Sequence, residues 1–213
     1  MNQLPVPGGD TVYVWTGRTA GDRPELVRRL LRRAGGALLG RSEVEIGVRR
    51  APGGRPEVYV GDGRTLPVSV SHTDDLVVVA ARAGGPVGVD VERRRSLPAA
   101  RLADRWYDPA EAAWLRARAE AGRDLDFLRL WTAKEAVGKA FGTGLRDGGL
   151  RRRMPVPDGP GDLLRPVPDT AGGLLRPVPG CPGVRVGHPA TGDGLVLAVA
   201  VLGAAGVVDV VLA

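Results

Sequence analysis

Residues 61–92, GDGRTLPVSVSHTDDLVVVAARAGGPVGVDVE, constrain the fold more than any other stretch of the chain. Short runs rich in β-branched residues alternate there with the segments HTDD and AGGP. Runs of this kind, separated by glycine, proline and aspartate, are typical of strands joined by short turns. The pattern therefore predicts an antiparallel meander.

Helical patterns lie on both sides of this meander. After a predicted strand at 11–17, residues 22–40 carry leucines at helical spacing, with Asp22 and Glu25 placed for a capping box. A second helical unit begins at Asp108, with proline next and glutamate at the third helical position. A third is predicted from about residue 124 to 141, ending at the glycines that follow.

The order of these elements predicts an α+β protein in two halves. We expect an N-terminal lobe at 1–97 and a C-terminal lobe at 98–213. A hairpin is predicted within 183–203, followed by a last strand in VVDVVLA. Between the lobe's helices and that hairpin, the Pro/Gly-rich residues 151–182 predict an extended or mobile connection.

Composition limits the classes of function. The net charge is +6 and the pI about 10.3, which favours an acidic partner or a polyanionic ligand. Aromatic residues make up only 4% and are not interleaved with basic ones, so binding of single-stranded nucleic acid is poorly supported. The single cysteine, the lack of a signal-peptide pattern and the shortness of the apolar run at 195–208 predict a soluble cytoplasmic protein.

The chain has only two lysines, Lys134 and Lys139, among 30 Lys+Arg residues. A genome that disfavours lysine codons accounts for the scarcity. Chance survival of a few lysines is then one explanation for two of them lying five residues apart. Lysine carries a compact ammonium with an adjustable pKa, whereas arginine is a planar fork that stays charged. The pair therefore indicates chemistry on the third helix.

Acidic residues offer a candidate metal site. Asp90 and Glu92 lie two apart in a predicted strand, so both side chains project from one face. Neighbouring carboxylates repel unless a cation lies between them, and Mg²⁺ binds through one or two carboxylates together with phosphates and water. The alternative is a solvated strand end neutralised by the arginines at 93–95.

Two other pairs of polar residues, one on the third predicted helix and one on a predicted strand, also have both a functional and a structural interpretation. Glu135 and Lys139 share a helical face with Trp131, which suggests an inward-facing site, although an exposed ion pair is the commoner outcome of that spacing. Ser71 and His72 are adjacent in a strand and cannot form a catalytic hydrogen bond with each other. His72 could instead hold a phosphate, while His188 is expected to be structural.

Five segments in order, GGRP (53–56), VSVSHTDDLVVVAA (68–81), GVDVE (88–92), RWYDPAE (105–111) and LWTAKEAVGKAFGTGL (130–145), resemble the 4'-phosphopantetheinyl transferases. They are similar to the monomeric, two-lobed type that serves nonribosomal peptide, polyketide or siderophore synthases. The resemblance runs from about Arg28 to Leu145. It implies two similar α/β lobes related by pseudo-twofold symmetry, with mostly antiparallel sheets and packed helices.

The resemblance also implies an activity and its residues. The phosphopantetheine group of coenzyme A would be transferred to a serine of an apo acyl or peptidyl carrier protein, releasing adenosine 3',5'-bisphosphate. The implied Mg²⁺ ligands are Asp90, Glu92 and Glu135, with Glu135 as candidate base and Lys139 as the catalytic lysine. The implied coenzyme A contacts are Arg28, Arg32, Arg55, Ser71, His72 and Lys139. No nucleic acid or membrane partner is expected.

This chain departs from the family pattern at three places. Arg28 and Arg32 stand where contacts to the 3'-phosphate are sought, without an exact register, and a solvated helix face is the alternative for them. Arg55 stands where the family usually has a lysine, which keeps the charge but changes a point contact to a fork. The Pro/Gly-rich stretch at 151–182 follows the segment where the family's carrier proteins dock, so it leaves partner choice open. Glu111 matches a family position as well, but a capping-box role explains it. The alternatives in function are a Mg²⁺-dependent phosphohydrolase and a basic nucleic-acid-binding module.

Overall fold

The architecture consists of two β-sheets packed face to face, with helices on both outer sides. The computed structural model describes residues 10–51, 54–146, 148–156, 175–192, 194–204 and 208–213. In chain order the elements are β1 Thr11–Arg18, α1 Arg23–Leu39, β2 Gly47–Arg50, β3 Pro56–Tyr59, β4 Thr65–Thr73, β5 Leu76–Ala81, β6 Val87–Arg93, α2 Ala99–Trp106, α3 Pro109–Arg116, α4 Glu120–Phe141, β7 Arg176–Pro177, β8 Val184–Gly187, β9 Leu195–Leu202 and β10 Asp209–Leu212.

The first sheet has the strand order β10-β1-β5-β4-β3-β2, and α1 covers its outer face. Helix α1 begins where the Asp22 carboxylate accepts a hydrogen bond from the Glu25 backbone N–H at 2.9 Å, which is one half of the predicted capping box. The Glu25 carboxylate pairs with Arg28. The leucines of α1 pack onto the sheet beside Tyr13 and Trp15, so the arginine face of the helix stays exposed.

The second sheet has the strand order β6-β9-β8-β7, and α4 packs across it. Strand β6 can lie close to α4 because residue 88 is glycine: a Cβ there would come within 1.9 Å of the Ala136 carbonyl oxygen. At its C-terminal end α4 stops at Gly142, whose φ of 81° suits glycine. The inner faces of the two sheets share a core of valines from β1, β5, β6 and β9.

The predicted meander is wrong for its last strand. The antiparallel run is β2 to β5, and β6 leaves it to pair with β9 in the second sheet. The physical reason is that both edges of β5 are occupied, one by β4 and the other by β1. The chain therefore crosses between the sheets at the glycine turn within the AGGP segment.

Other expectations are confirmed. The α+β class with mainly antiparallel sheets is observed, and β8 and β9 form the predicted antiparallel hairpin. The last strand exists, but it pairs in parallel with β1 in the first sheet. The third predicted helix begins earlier, at Glu120, and α2 was not predicted. Much of the predicted 151–182 connection, including the first LLRPVP copy, lies outside the described residues.

The arrangement brings the end of β6 and the last turns of α4 against β4, although these elements are far apart in sequence. No helix in the described residues is long and apolar enough to cross a membrane. The division into lobes at 1–97 and 98–213 stays a prediction.

Candidate active site

An ion pair between helix α4 and strand β6 forms the centre of the candidate site. Lys139 Nζ, from the last turn of α4, lies 2.7 Å from Asp90 Oδ1 on β6. The Ser71 hydroxyl on β4 donates to the same carboxylate oxygen at 2.8 Å and accepts from Lys139 at 3.1 Å. One predicted metal ligand, the predicted catalytic lysine and one predicted coenzyme A contact therefore meet at one place.

Two serines of β4 also hold the outer edge of β6. Ser69 accepts a hydrogen bond from the Val89 backbone N–H at 3.1 Å, and Ser71 accepts one from Val91 at 3.3 Å. These N–H groups belong to an edge strand, and without such acceptors they would be unpaired between the sheets. The serines thus fix Asp90, which lies between the two bonded positions, against Lys139.

Repulsion among the acidic side chains appears in their pKa values. Burial is the main cause that raises the pKa of Asp90, with Lys139 and Ser71 opposing it and Glu92 adding to it. Burial also raises the pKa of Glu135, and the nearby Asp90 and Glu92 charges raise it further against the effect of Lys139. The three carboxylates are therefore close enough to feel one another.

Within the described part of the chain, however, no group of three His, Cys, Asp or Glu residues is arranged to hold a metal ion. Asp90 Oδ1 already accepts a hydrogen bond from Lys139 Nζ, and the Glu92 carboxylate forms an ion pair with Arg95 at 2.7 Å. The donors are all carboxylate oxygens, the type that Mg²⁺ prefers. Asp90 Oδ2 makes no hydrogen bond to any described residue, so the site retains an oxygen for a cation.

A basic cleft of about 470 Å³ adjoins this centre. It lies between β3, β4 and the glycine-containing turn that ends α4, and Arg55, Lys139 and Arg146 supply its positive charge. The Arg55 guanidinium reaches the Ala140 carbonyl at 3.4 Å and so bridges from the β3 side to the end of α4. Such a cleft is suited to a ligand that carries several negative charges.

The remaining predicted contacts lie elsewhere. His72 is exposed at the end of β4 and is not among the residues that line the cleft. Arg28 and Arg32 are on the outer face of α1 and do not line it either. Arg146 lines the cleft but was not singled out from the sequence. Its position just after the glycine-terminated helix that carries Lys139 was the available signal.

The other lysine has a different environment. Lys134 is fully buried and donates to Glu111 Oε2 at 2.6 Å and to the Arg152 carbonyl. The Met154 backbone N–H donates to the second Glu111 oxygen at 2.7 Å. Burial lowers the pKa of Lys134 and raises that of Glu111, while their attraction opposes both shifts. Glu111 therefore does more than cap α3, because it joins α3, α4 and the chain after α4.

Comparisons with known proteins agree on one family. The model of the 4'-phosphopantetheinyl transferase superfamily matches residues 86–159, which contain β6, α2, α3 and α4. A 4'-phosphopantetheinyl transferase of Aneurinibacillus migulanus is 35% identical over 77 residues, covering 36% of this chain and 32% of that protein. A protein of Synechocystis sp. named as a candidate 4'-phosphopantetheinyl transferase is 33% identical over 105 residues, covering 49% and 42%.

The chain thus aligns with less than half the length of these curated relatives. The matched family segment includes Asp90, Glu92, Glu135 and Lys139, and the resemblance seen in the sequence is confirmed at the level of the superfamily. The segment 86–159 of this chain is thus similar to the 4'-phosphopantetheinyl transferase superfamily.

Proposed function

We propose that the protein transfers the 4'-phosphopantetheine group of coenzyme A to a serine of an apo carrier protein in a Mg²⁺-dependent reaction, releasing adenosine 3',5'-bisphosphate. The observation that carries the proposal is the meeting of Lys139 with Asp90 at the edge of a cleft lined by three cationic side chains. A diphosphate would neutralise the cleft, and the acidic centre would lie beside it.

Each charged group has a role in this proposal. Arg55, Lys139 and Arg146 would bind phosphate oxygens of coenzyme A. Asp90, Glu92 and Glu135 would hold the metal, because their oxygens fit its preference and their mutual repulsion calls for a cation. When bound, Mg²⁺ supplies charge neutralisation of the diphosphate.

The chain's own residues would position and deprotonate the nucleophile. Glu135, half-buried one helical turn before Lys139, would accept the proton of the carrier serine, directly or through water. The serine oxygen forms a bond to the β-phosphorus of coenzyme A as the bond from that phosphorus to the bridging oxygen breaks. Lys139 would stabilise the negative charge on the phosphate oxygens during this exchange.

The wider family features extend the proposal. Strand β1, helix α1 and strands β3 to β5 are followed by strand β6, helix α4 and strands β7 to β9, with the last strand of each set pairing with its first. The same succession of strand, helix and strands thus occurs twice, which supports two lobes related by pseudo-twofold symmetry. We propose a monomer in the cytoplasm that serves nonribosomal peptide, polyketide or siderophore synthases.

The test is incubation of the protein with coenzyme A, Mg²⁺ and a panel of apo carrier domains, with the intact mass of each carrier as the readout. We expect a phosphopantetheine adduct on at least one carrier and none with the Glu135→Gln variant. Glu120→Gln is the matched control, since Glu120 is an exposed residue at the start of the same helix.

Two results would contradict the proposal. One is the absence of an adduct on every carrier. The other is hydrolysis of coenzyme A by the protein at the same rate with and without carrier protein, which would favour the alternative function of a phosphohydrolase. Circular dichroism of Glu135→Gln shows whether that variant has kept its fold.

A further inference from the structure

A second charged cavity lies away from the basic cleft. It has a volume of about 210 Å³ and is lined by Arg94, Leu125, Arg129, His188, Thr191 and neighbouring residues of the β8–β9 turn. Arg129 precedes Lys139 by ten residues on α4, so the two side chains start about 15 Å apart along the helix. The cavity therefore does not overlap the proposed coenzyme A cleft, and no role proposed above uses it.

The positive charge of the cavity is only partly compensated by a carboxylate. Arg129 is 17% exposed, and its nearest carboxylate oxygen, Asp126 Oδ1, is 3.8 Å away. The other oxygen of Asp126 pairs with Arg118 at 3.0 Å, so this single carboxylate serves two guanidinium groups. Arg94 forms no ion pair with any described residue. Burial, followed by the charges of Arg94 and Arg118, lowers the pKa of Arg129 against the effect of Asp126.

His188 provides a second, independent observation. Its side chain is 7% exposed, and Nδ1 has no hydrogen-bond partner among the described residues. Nε2 lies 3.0 Å from the Arg129 carbonyl oxygen, which only accepts, so Nε2 must carry the proton of the neutral ring. Thr132 Oγ1 lies 3.2 Å from the same nitrogen and donates its own proton to the Leu128 carbonyl at 2.9 Å. Nδ1 is therefore an unpartnered acceptor on a side chain that lines the same cavity as Arg94 and Arg129.

We propose that this cavity is an oxyanion site that takes inorganic phosphate. Arg94 and Arg129 would bind its charged oxygens, as guanidinium groups do with phosphate. At neutral pH inorganic phosphate keeps at least one P–OH, which can donate to an unpartnered acceptor such as His188 Nδ1, whereas a phosphate monoester is mainly a dianion without one. A sulfate ion at that pH has no proton to donate. The cavity's mixture of donors and one acceptor thus matches hydrogen phosphate, and the inference does not depend on the proposed transferase activity.

The experiment is a titration of the isotope-labelled protein with inorganic phosphate, followed by amide chemical shifts at constant ionic strength. We expect saturable shifts at the amides of Arg94, Arg129, His188, Thr191 and Leu195. Arg94→Gln should weaken this binding by about tenfold or more, because a charge-assisted hydrogen bond is lost. Arg33→Gln, which removes an exposed arginine of α1, should leave it unchanged.

Parallel titrations separate the sources of binding. Glycerol phosphate, which at neutral pH is mainly a dianion without a P–OH, should bind more weakly than inorganic phosphate, and so should sulfate. Shifts at the basic cleft, residues 142–146, report phosphate binding there and are scored separately. Arg129→Gln, checked for folding by its amide spectrum, provides a second test of the cavity. The proposal is overturned if wild-type shifts near Arg94 do not saturate, if both arginine variants bind like wild type, or if sulfate binds as tightly as phosphate.

Discussion

Lys139 Nζ and Asp90 Oδ1 lie 2.7 Å apart and join the last turn of α4 to β6. The Lys139 side chain is 28% exposed, whereas the Asp90 side chain is 9% exposed, so the pair links a solvent-accessible charge to a buried one. This contact explains why a chain with 28 arginines keeps a lysine here. A compact ammonium reaches one carboxylate oxygen and one hydroxyl where a planar fork would need more room.

We predict that Lys139→Arg retains the positive charge but loses most of the proposed carrier-modifying activity, by about tenfold or more. The initial rate of adduct formation, measured by mass spectrometry, checks this. Arg33→Lys, on the exposed face of α1, is the matched control for this substitution. Arg129→Lys is unsuitable as a control, because Arg129 lies in the second cavity. Activity of Lys139→Arg equal to that of wild type would show that only charge matters at this position.

The Ser71 hydroxyl should affect turnover, because it touches both Asp90 and Lys139. Ser71→Ala and Ser69→Ala each remove one acceptor for a β6 backbone N–H, at a cost of about 1 kcal/mol of unfolding free energy. Only Ser71→Ala should also lower kcat, by about tenfold, with little change in KM for coenzyme A. If Ser71 instead contacts coenzyme A, Ser71→Ala will raise KM for coenzyme A and leave kcat unchanged. Steady-state kinetics distinguish the two results.

The buried pair of Lys134 and Glu111 is expected to be structural. Lys134→Met leaves the Glu111 carboxylate buried without its cation and should lower the free energy of unfolding by about 3–5 kcal/mol. The double variant Glu111→Gln with Lys134→Met should recover part of that loss, because no unpaired charge remains. Urea unfolding of both variants gives the numbers. Additive losses would indicate that the two groups do not interact.

His188 should make stability depend on pH. Burial lowers its pKa to about 4, below its usual value near 6.5. The unfolded chain therefore binds more protons between these values, and stability falls as pH drops from about 6.5 to about 4, by up to about 3 kcal/mol. The fall should be smaller in His188→Asn. The test is to measure the unfolding free energies of the wild type and of His188→Asn across that pH range. A difference between them that does not change with pH would contradict the assignment of the pH dependence to His188.

Gly88 should be required for the close approach of β6 and α4. Gly88→Ala places a methyl group against the backbone of Ala136, which cannot move without shifting the helix, and we expect a loss of about 1–3 kcal/mol together with reduced activity. Gly122→Ala is the matched control, since no neighbouring atom lies within 4 Å of the place that its Cβ would take, and alanine favours a helix. Thermal unfolding should show the two variants shifting in opposite directions.

The sequence could predict local relationships at the site but not its assembly. The two-residue spacing of Asp90 and Glu92 and the four-residue spacing of Glu135 and Lys139 follow from the geometry of a strand and a helix. That Lys139 would contact Asp90 depends on β6 crossing to the second sheet, which local periodicity does not encode. The capping pattern at Asp108 was clear, yet the buried contact of Glu111 with Lys134 depends on the packing of α3 against α4.

The fold shows the same limit. Strands and helix ends were visible because glycine, proline and capping residues act locally, as at Asp22 and Gly142. The parallel pairing of β10 with β1 joins the two ends of the chain, and nothing in the sequence of either strand specifies its partner. Helix α2 was missed because Pro98 precedes it and no side-chain cap marks its start.

The most direct test of the central claim is a crystal structure of the protein with coenzyme A and Mn²⁺, which replaces Mg²⁺ and scatters anomalously. The proposal predicts one anomalous peak bounded by the carboxylates of Asp90, Glu92 and Glu135, with the coenzyme A diphosphate between that ion and Lys139. An ion bound elsewhere, or coenzyme A bound in the cleft while Lys139 stays on Asp90 and the three carboxylates bind no metal, would contradict it.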